Sequence, residues 1–315
     1  MTVIIRNSLR HVGLSTLRRR RLPSTNSPFV SCQSSKSFRY VAHEGNSWQL
    51  RLPKTGVGIL VDPWLVGKLT FADQDWLFKG SKISEMPSLK QVELETDLLL
   101  ITQGLDDHAH RPTLKQLSKT TPVVASPSAA TVCRELGFQD VTELRAGDRC
   151  TACDDRVSIW ATEGALVGEK ACSVHVQQRG PPWSTREAGF VIRERVSGGI
   201  SVYYEPHCDF SAASVRRLSP VDVVISPVTT VELAGFPLVQ GRDNIVELLR
   251  ILRPSVLVPL LNGSFAAEGA LSGRLETRGS LGELPGLLKA NGLGNVRIAA
   301  PKPVEPLYID LEALR

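Results

Sequence analysis

The sequence predicts an α/β sandwich built from two sheets. Three observations carry this expectation. Short β-runs separated by turns come first from Ser47, strands alternate with helical segments later in the chain, and several strands are apolar runs of the kind buried between layers.

Trp48–Leu52 alternates, and Val57–Val61 is an apolar run stopped by Asp62-Pro63, because proline cannot donate to a ladder. Residues 66–95 read as an irregular, packed loop with Phe71, Trp76 and Phe78. Asp97–Thr102 is a buried strand that breaks into Gln103-Gly-Leu-Asp-Asp-His-Ala-His110, and Pro112 suits the first turn of a helix through Leu117. Val123–Ala125 is a strand, Ser128–Leu136 a helix ended by Gly137, and Val157–Ala161 a strand. Phe190–Arg195 and Ile200–Tyr204 form a hairpin around Ser197-Gly198-Gly199. Val221–Ile225 is another buried strand. Asp243–Leu252 is a helix with a capping Asp and a Pro254 stop, followed by strand Val256–Leu260. Leu281–Lys289 is a last helix, and Val296–Ala299 and Leu307–Ile309 are edge strands. No internal repeat of fixed period occurs.

Residues 1–43 differ from the rest. They hold seven arginines, one lysine and eight serines, and the first acidic residue is Glu44. That is the composition of an organelle transit peptide, and Val30-Ser31-Cys32 leans towards chloroplast over mitochondrion. A basic nucleic-acid arm on Arg18–Arg21 is the competing reading. Removing 1–43 leaves 29 basic against 32 acidic residues, so the excess of positive charge belongs to the leader. The folded part, 44–315, then carries no basic patch that would argue for nucleic acid. Its roughly 270 residues suffice for one large core. No run of eighteen apolar residues exists to span a membrane. Six cysteines, one in the leader, make no disulfide framework. Cys150-x-x-Cys153 is half a zinc site without its other half, a redox pair, or two incidental thiols.

Polar residues directly after buried strands are where α/β proteins place their sites. Four such places occur: Asp62, Asp106-Asp107-His108-Ala109-His110, Glu205-Pro206-His207, and Asn262. Carboxylates and imidazoles gathered there suit a metal such as zinc. Each alone also has a structural role open to it: a helix cap, a turn residue, a hydrogen-bonded histidine.

Leu99–His110 resembles the metal-binding strand and turn of the metallo-β-lactamase superfamily, whose pattern is Thr-His-x-His-x-Asp-His. Gly58–Pro63 is similar to that family's first motif, Gly198–His207 to its later strand, and Val256–Asn262 to the strand before its last histidine. The resemblance spans about 48–312, is nearest to the UlaG-like branch, and implies a four-layer αβ/βα sandwich and a metal-dependent hydrolase. The chain departs from the pattern in its ligands. Gln103 and Leu105 stand where two histidines belong, His207 where the bridging aspartate belongs, and Asn262 where the last histidine belongs. The middle histidine has only Glu163 near its place, and His175 lies in an apparent insertion, Glu169–Gly180.

Two functions follow. The first is a hydrolase with at most one ion, zinc or a similar divalent metal, on Asp107, His108 and His207, with His110 as a further ligand. Asp62, Asn262 and Gln103 would stand behind the ligands, Glu205 or Asp106 would move the proton, and the substrate is a small molecule of unknown class. The second is a non-catalytic descendant that binds a metabolite or serves a structural role. His43 is taken as lying outside the site.

Overall fold

The computed structural model describes residues 37–70, 74–167, 185–233 and 235–311. The leader as far as residue 36 and the insertion carrying His175 lie outside these residues.

Strands β1 (Ser37–Ala42), β2 (Trp48–Arg51) and β3 (Gly58–Val61) form an antiparallel meander. Leu69–Thr70 (β4) and Lys79–Ser81 (β5) pair apart from it, and helix α1 (Leu89–Leu94) starts on a Ser88 cap. Next come β6 (Leu98–Ile101), α2 (Arg111–Gln116), β7 (Val123–Ala125), α3 (Pro127–Glu135) and β8 (Val141–Glu143). The second half runs β9 (Arg149–Ala152), β10 (Val157–Val167), β11 (Thr185–Glu194), β12 (Ser201–Tyr204), α4 (Ala212–Arg216) and β13 (Val223–Ser226). It continues with β14 (Thr230–Leu233), β15 (Phe236–Gln240), α5 (Gly241–Leu252), β16 (Val256–Pro259), β17 (Ala266–Glu268) and β18 (Leu275–Arg278). The chain closes with α6 (Leu284–Ala290), β19 (Arg297–Ile298) and β20 (Pro306–Asp310).

Two seven-stranded sheets result, in the orders β20-β1-β2-β3-β6-β7-β8 and β19-β16-β13-β12-β11-β10-β9. Each consists of antiparallel strands that turn parallel part-way across, at β3–β6 and at β12–β13. Strand alternation explains the layers. Tyr40, Leu50, Ile59 and Leu100 from one sheet meet Ile159, Phe190, Val202 and Val258 from the other in a central core. The opposite faces carry Leu99, Ile101 and Val123 against α2 and α3, and Val191, Val224 and Leu257 against α5 and α6. Strands covered on both faces read as unbroken apolar runs, which is why their inner and outer residues are not separable by eye. This is the four-layer αβ/βα sandwich that the family resemblance implied.

Several local expectations change. The folded chain does not wait for residue 44: Ser37–Ala42 is β1, with Phe38 and Tyr40 fully buried and Arg39 paired with Glu95. Residues 66–95 are not wholly irregular, since β4, β5 and α1 lie there. The strand expected over 157–161 runs on to Val167 through a register shift after Glu163, so Glu163 sits inside a strand rather than after one. Asp243 does not cap α5. It lies in the first turn, paired with Arg278 and accepting from the Thr230 hydroxyl. Among the described residues no helix is long and apolar enough to cross a membrane.

Candidate metal centre

The C-terminal ends of β3, β6 and β12 meet at one edge of the sandwich, and each is followed at once by a polar residue. Asp62, directly after β3, is fully buried and has φ of 42°, a left-handed conformation that aspartate tolerates better than most residues. Its carboxylate accepts from Thr102 N (2.8 Å), Thr102 Oγ1 (2.7 Å), His108 Nδ1 (2.9 Å) and Tyr204 Oη (3.0 Å). Tyr204 reaches it from the opposite sheet and also donates to the Asn46 carbonyl at 3.3 Å. Burial, reinforced by Asp62, keeps this phenol well above its ordinary pKa, so it acts as a donor.

His108 is buried with Nδ1 on Asp62 and Nε2 facing Asp107 Oδ2 at 3.2 Å. Burial opposes a charge on this ring, but the carboxylates of Asp107 and Asp62 outweigh it and push the pKa up to about 10 in the metal-free protein. Burial likewise works against the Asp107 carboxylate, yet His108 and His207 hold it below the usual range. His207, two residues past Glu205, places its ring 5.2 Å from that of His108, centre to centre. Its Nδ1 lies 3.1 Å from Gln103 Nε2 and 3.5 Å from Glu205 Oε1. Among the described residues, Asp107, His108 and His207 form the one group of acidic, histidine or cysteine side chains whose ligand atoms all lie within 4.8 Å of one another.

The donor set fits a divalent metal. His108 presents Nδ1 to the buried carboxylate of Asp62, the arrangement that fixes the tautomer of a metal-binding imidazole and leaves Nε2 to the ion. At His207 the Nδ1 partner is instead the Gln103 amide, with the Glu205 carboxylate 3.5 Å away. The buried oxygens Asp107 Oδ1, Gln103 Oε1 and Asn46 Oδ1 lack hydrogen-bond partners, and a nearby cation would compensate them.

Other expected residues are placed differently. His110 is not a ligand: its Nδ1 faces the Thr113 amide and hydroxyl as the cap of α2, and its Nε2 donates to the Lys68 carbonyl at 3.1 Å. Burial pushes its pKa down to about 4, so it caps as a neutral ring. Glu205 is engaged in its own turn. It is 1% exposed, and its Oε2 accepts from His207 N (3.0 Å) and Asp209 N (2.9 Å), which shapes the turn that carries His207. Asp106 is half-buried on the same turn as Asp107, and Asn262 is half-buried after β16. His43 is buried at the start of the β1–β2 turn, three residues before Asn46.

Cys150 and Cys153 are free, and burial raises both thiols to about 11. Cys153 lines a cavity of about 370 Å³ with Asp97, Pro122, Asp140 and Arg156, at the strand ends opposite the candidate metal centre.

Two contributors escaped the sequence reading. Asn46 brings its Nδ2 to 3.1 Å from His108 Nε2 and 3.4 Å from Asp107 Oδ2, and Tyr204 braces Asp62. The sequence signal for Tyr204 was its place directly before Glu205; for Asn46 there was only a turn.

Residues 39–261 match the family model described as beta-lactamase superfamily domain. No curated protein matches the chain. Among solved structures, the chain is similar to a possible metal-dependent hydrolase from Veillonella parvula (TM-score 0.62, 14% identity, 87% of this chain and 99% of that one). It is similar also to an isothiocyanate hydrolase from Delia radicum gut bacteria (0.59, 14%, 87% and 99%). A third is a metallo hydrolase from the archaeon Ignicoccus hospitalis (0.56, 16%, 87% and 98%). With the family model covering more than half its length and the four-layer fold in place, the chain belongs to the metallo-β-lactamase superfamily.

Proposed function

We propose that this protein is a metal-dependent hydrolase working with a single divalent ion, zinc or a similar metal, held by Asp107, His108 and His207. One observation carries the reading: two histidines from opposite sheets converge on Asp107, His108 held at Nδ1 by the buried carboxylate of Asp62 and His207 by Gln103 and Glu205. Such an ion supplies Lewis acidity, activating water near neutral pH and polarising a carbonyl or phosphoryl oxygen. The chain's own residues hold and orient. Asp62, braced by Thr102 and Tyr204, fixes His108; Glu205 and Gln103 fix His207. Asp106, half-buried beside Asp107, is the carboxylate assigned to move the proton. The hydrolases among the structural neighbours support the reaction class. The substrate is a small molecule, and no residue pattern here defines its class.

The test is elemental analysis of protein expressed without chelators. About one equivalent of metal is expected in the unmutated chain, and little in His108→Ala or His207→Ala. A metal-free unmutated protein would favour the second reading, a non-catalytic binding or structural protein. Gln103 and Leu105, standing in place of two family histidines, are the observation on that side.

We further infer an organelle destination, chloroplast ahead of mitochondrion, supported by the acid-free, arginine- and serine-rich first 36 residues. A fluorescent protein fused after these residues should enter the organelle; diffuse fluorescence would refute it.

A further inference from the structure

We propose that Asn46 is a fourth protein ligand, donating through its carboxamide oxygen, and that this added hard donor shifts the site's preference towards manganese(II) or iron(II) relative to zinc. The inference rests on the metal reading above.

Asn46 is 8% exposed, and its carboxamide points at the two atoms that must face an ion there, His108 Nε2 (3.1 Å) and Asp107 Oδ2 (3.4 Å). Its Oδ1 is buried without a partner, as is Asp107 Oδ1. A half-turn of the carboxamide exchanges Nδ2 and Oδ1. The oxygen then stands beside the two ligand atoms, where a cation would compensate it. Gln103 differs, because its amide is engaged with His207 Nδ1, a positioning contact.

The turn that carries Asn46 is held on several sides. Lys82 Nζ donates to the carbonyls of His43 (2.7 Å) and Glu44 (3.0 Å) and lies 3.8 Å over the Trp64 ring. The Glu44 carboxylate accepts from Ile83 N and Ser84 N, and the Tyr204 hydroxyl donates to the Asn46 carbonyl. Glu44 and Gly45 both have positive φ, 60° and 57°, and a Cβ on Gly45 would come 3.2 Å from Trp64. A turn braced in this way presents Asn46 before any ion arrives, so little ordering entropy is lost on binding.

The chemistry then points away from tetrahedral zinc. Catalytic zinc takes three protein ligands and leaves one position open. Two imidazoles with a carboxylate and a carboxamide oxygen form a harder set. Two histidines and one carboxylate with open positions suit non-haem iron(II), and added carbonyl oxygen suits manganese.

Calorimetric titration of Mn²⁺ and Zn²⁺ into the metal-free full chain, Asn46→Ser and Asn46→Asp decides this, with Mn²⁺ paramagnetic resonance counting the bound ion. The unmutated chain should bind one Mn²⁺. Asn46→Ser, too short to reach, should weaken Mn²⁺ about tenfold or more while changing Zn²⁺ much less. Asn46→Asp should keep Mn²⁺ and raise its preference over Zn²⁺, which decides the matter if the Ser variant fails to fold. Mn²⁺ affinity untouched by Asn46→Ser, an equal loss for both metals, or an unaltered preference in Asn46→Asp would each overturn the proposal. If His108→Ala still abolishes binding in that event, the metal reading stands and this inference alone falls. An unmutated chain that binds neither metal overturns both.

Discussion

Asp62 and Glu205 hold equivalent places in the two sheets: each is the first residue after the strand at which its sheet turns from antiparallel to parallel, and each faces the Nδ1 of a histidine. The two are not equally tight, 2.9 Å for Asp62 and 3.5 Å for Glu205, and His108 is accordingly the more strictly oriented ring.

Asp62→Asn is expected to lower divalent-metal affinity by about 10- to 100-fold, because the carboxylate behind a metal-binding histidine raises its basicity and holds its tautomer. Removing one member of a buried pair also destabilises by about 3–5 kcal/mol. Calorimetry gives the first number and urea denaturation of the metal-free variant the second. Unchanged affinity would mean that His108 does not bind the metal through Nε2.

Metal-free protein should show a distinctive pH dependence. The pKa of His108 is raised from 6.5 to about 10, chiefly by Asp107 and Asp62 against the opposing effect of burial. The folded state therefore binds this proton more tightly than the unfolded state does. Its stabilisation is fully present below pH 6.5 and is lost as pH rises through about 10. A metal must displace the same proton from Nε2, so affinity should climb with pH across that window, with proton release visible as a buffer-dependent binding enthalpy. Affinity independent of pH there would refute the assignment.

His110→Ala should separate the two neighbouring histidines. It removes the α2 cap, a loss of about 0.5–2 kcal/mol, and leaves metal affinity unaltered. The His110 pKa is depressed to about 4 by burial, so its contribution is present above pH 6.5 and lost as pH falls towards 4. The variant should lose part of the wild-type sensitivity to acid in that window. A fall in metal affinity would return His110 to the site.

Gly189→Ala tests Glu205 without substituting it. A Cβ there would meet Thr162 Oγ1 at 2.7 Å and Glu205 Cγ at 3.0 Å. Both neighbours are fully buried side chains, so overpacking should destabilise by about 1–3 kcal/mol and push Glu205 off the His207 turn. Reduced metal affinity is expected; full affinity would show that His207 holds its place without Glu205.

The layers, most strand positions and three strand-end polar segments were legible because apolar runs and their stops are local signals. The selection among polar residues was not. His108 and His110 look alike in the sequence, and only the turn decides that one faces Asp107 while the other caps a helix. Tyr203 and Tyr204 are both fully buried, one on each face of β12, so composition could not say which reaches Asp62. Asn46 sits in the turn before the first strand that the pattern revealed, and β1 itself was hidden by its similarity to the arginine- and serine-rich leader.

Asp107 and His207 stand on opposite sheets and about 100 residues apart along the chain. An ion shared between them would therefore close a long loop and pin one half of the sandwich to the other, acting as a removable cross-link that grows more valuable as the loop lengthens. Chelation should then loosen the seam between the halves as well as empty the site, and amides near Tyr204 and Asn46 should exchange their hydrogens faster than those at the far end of the same strands.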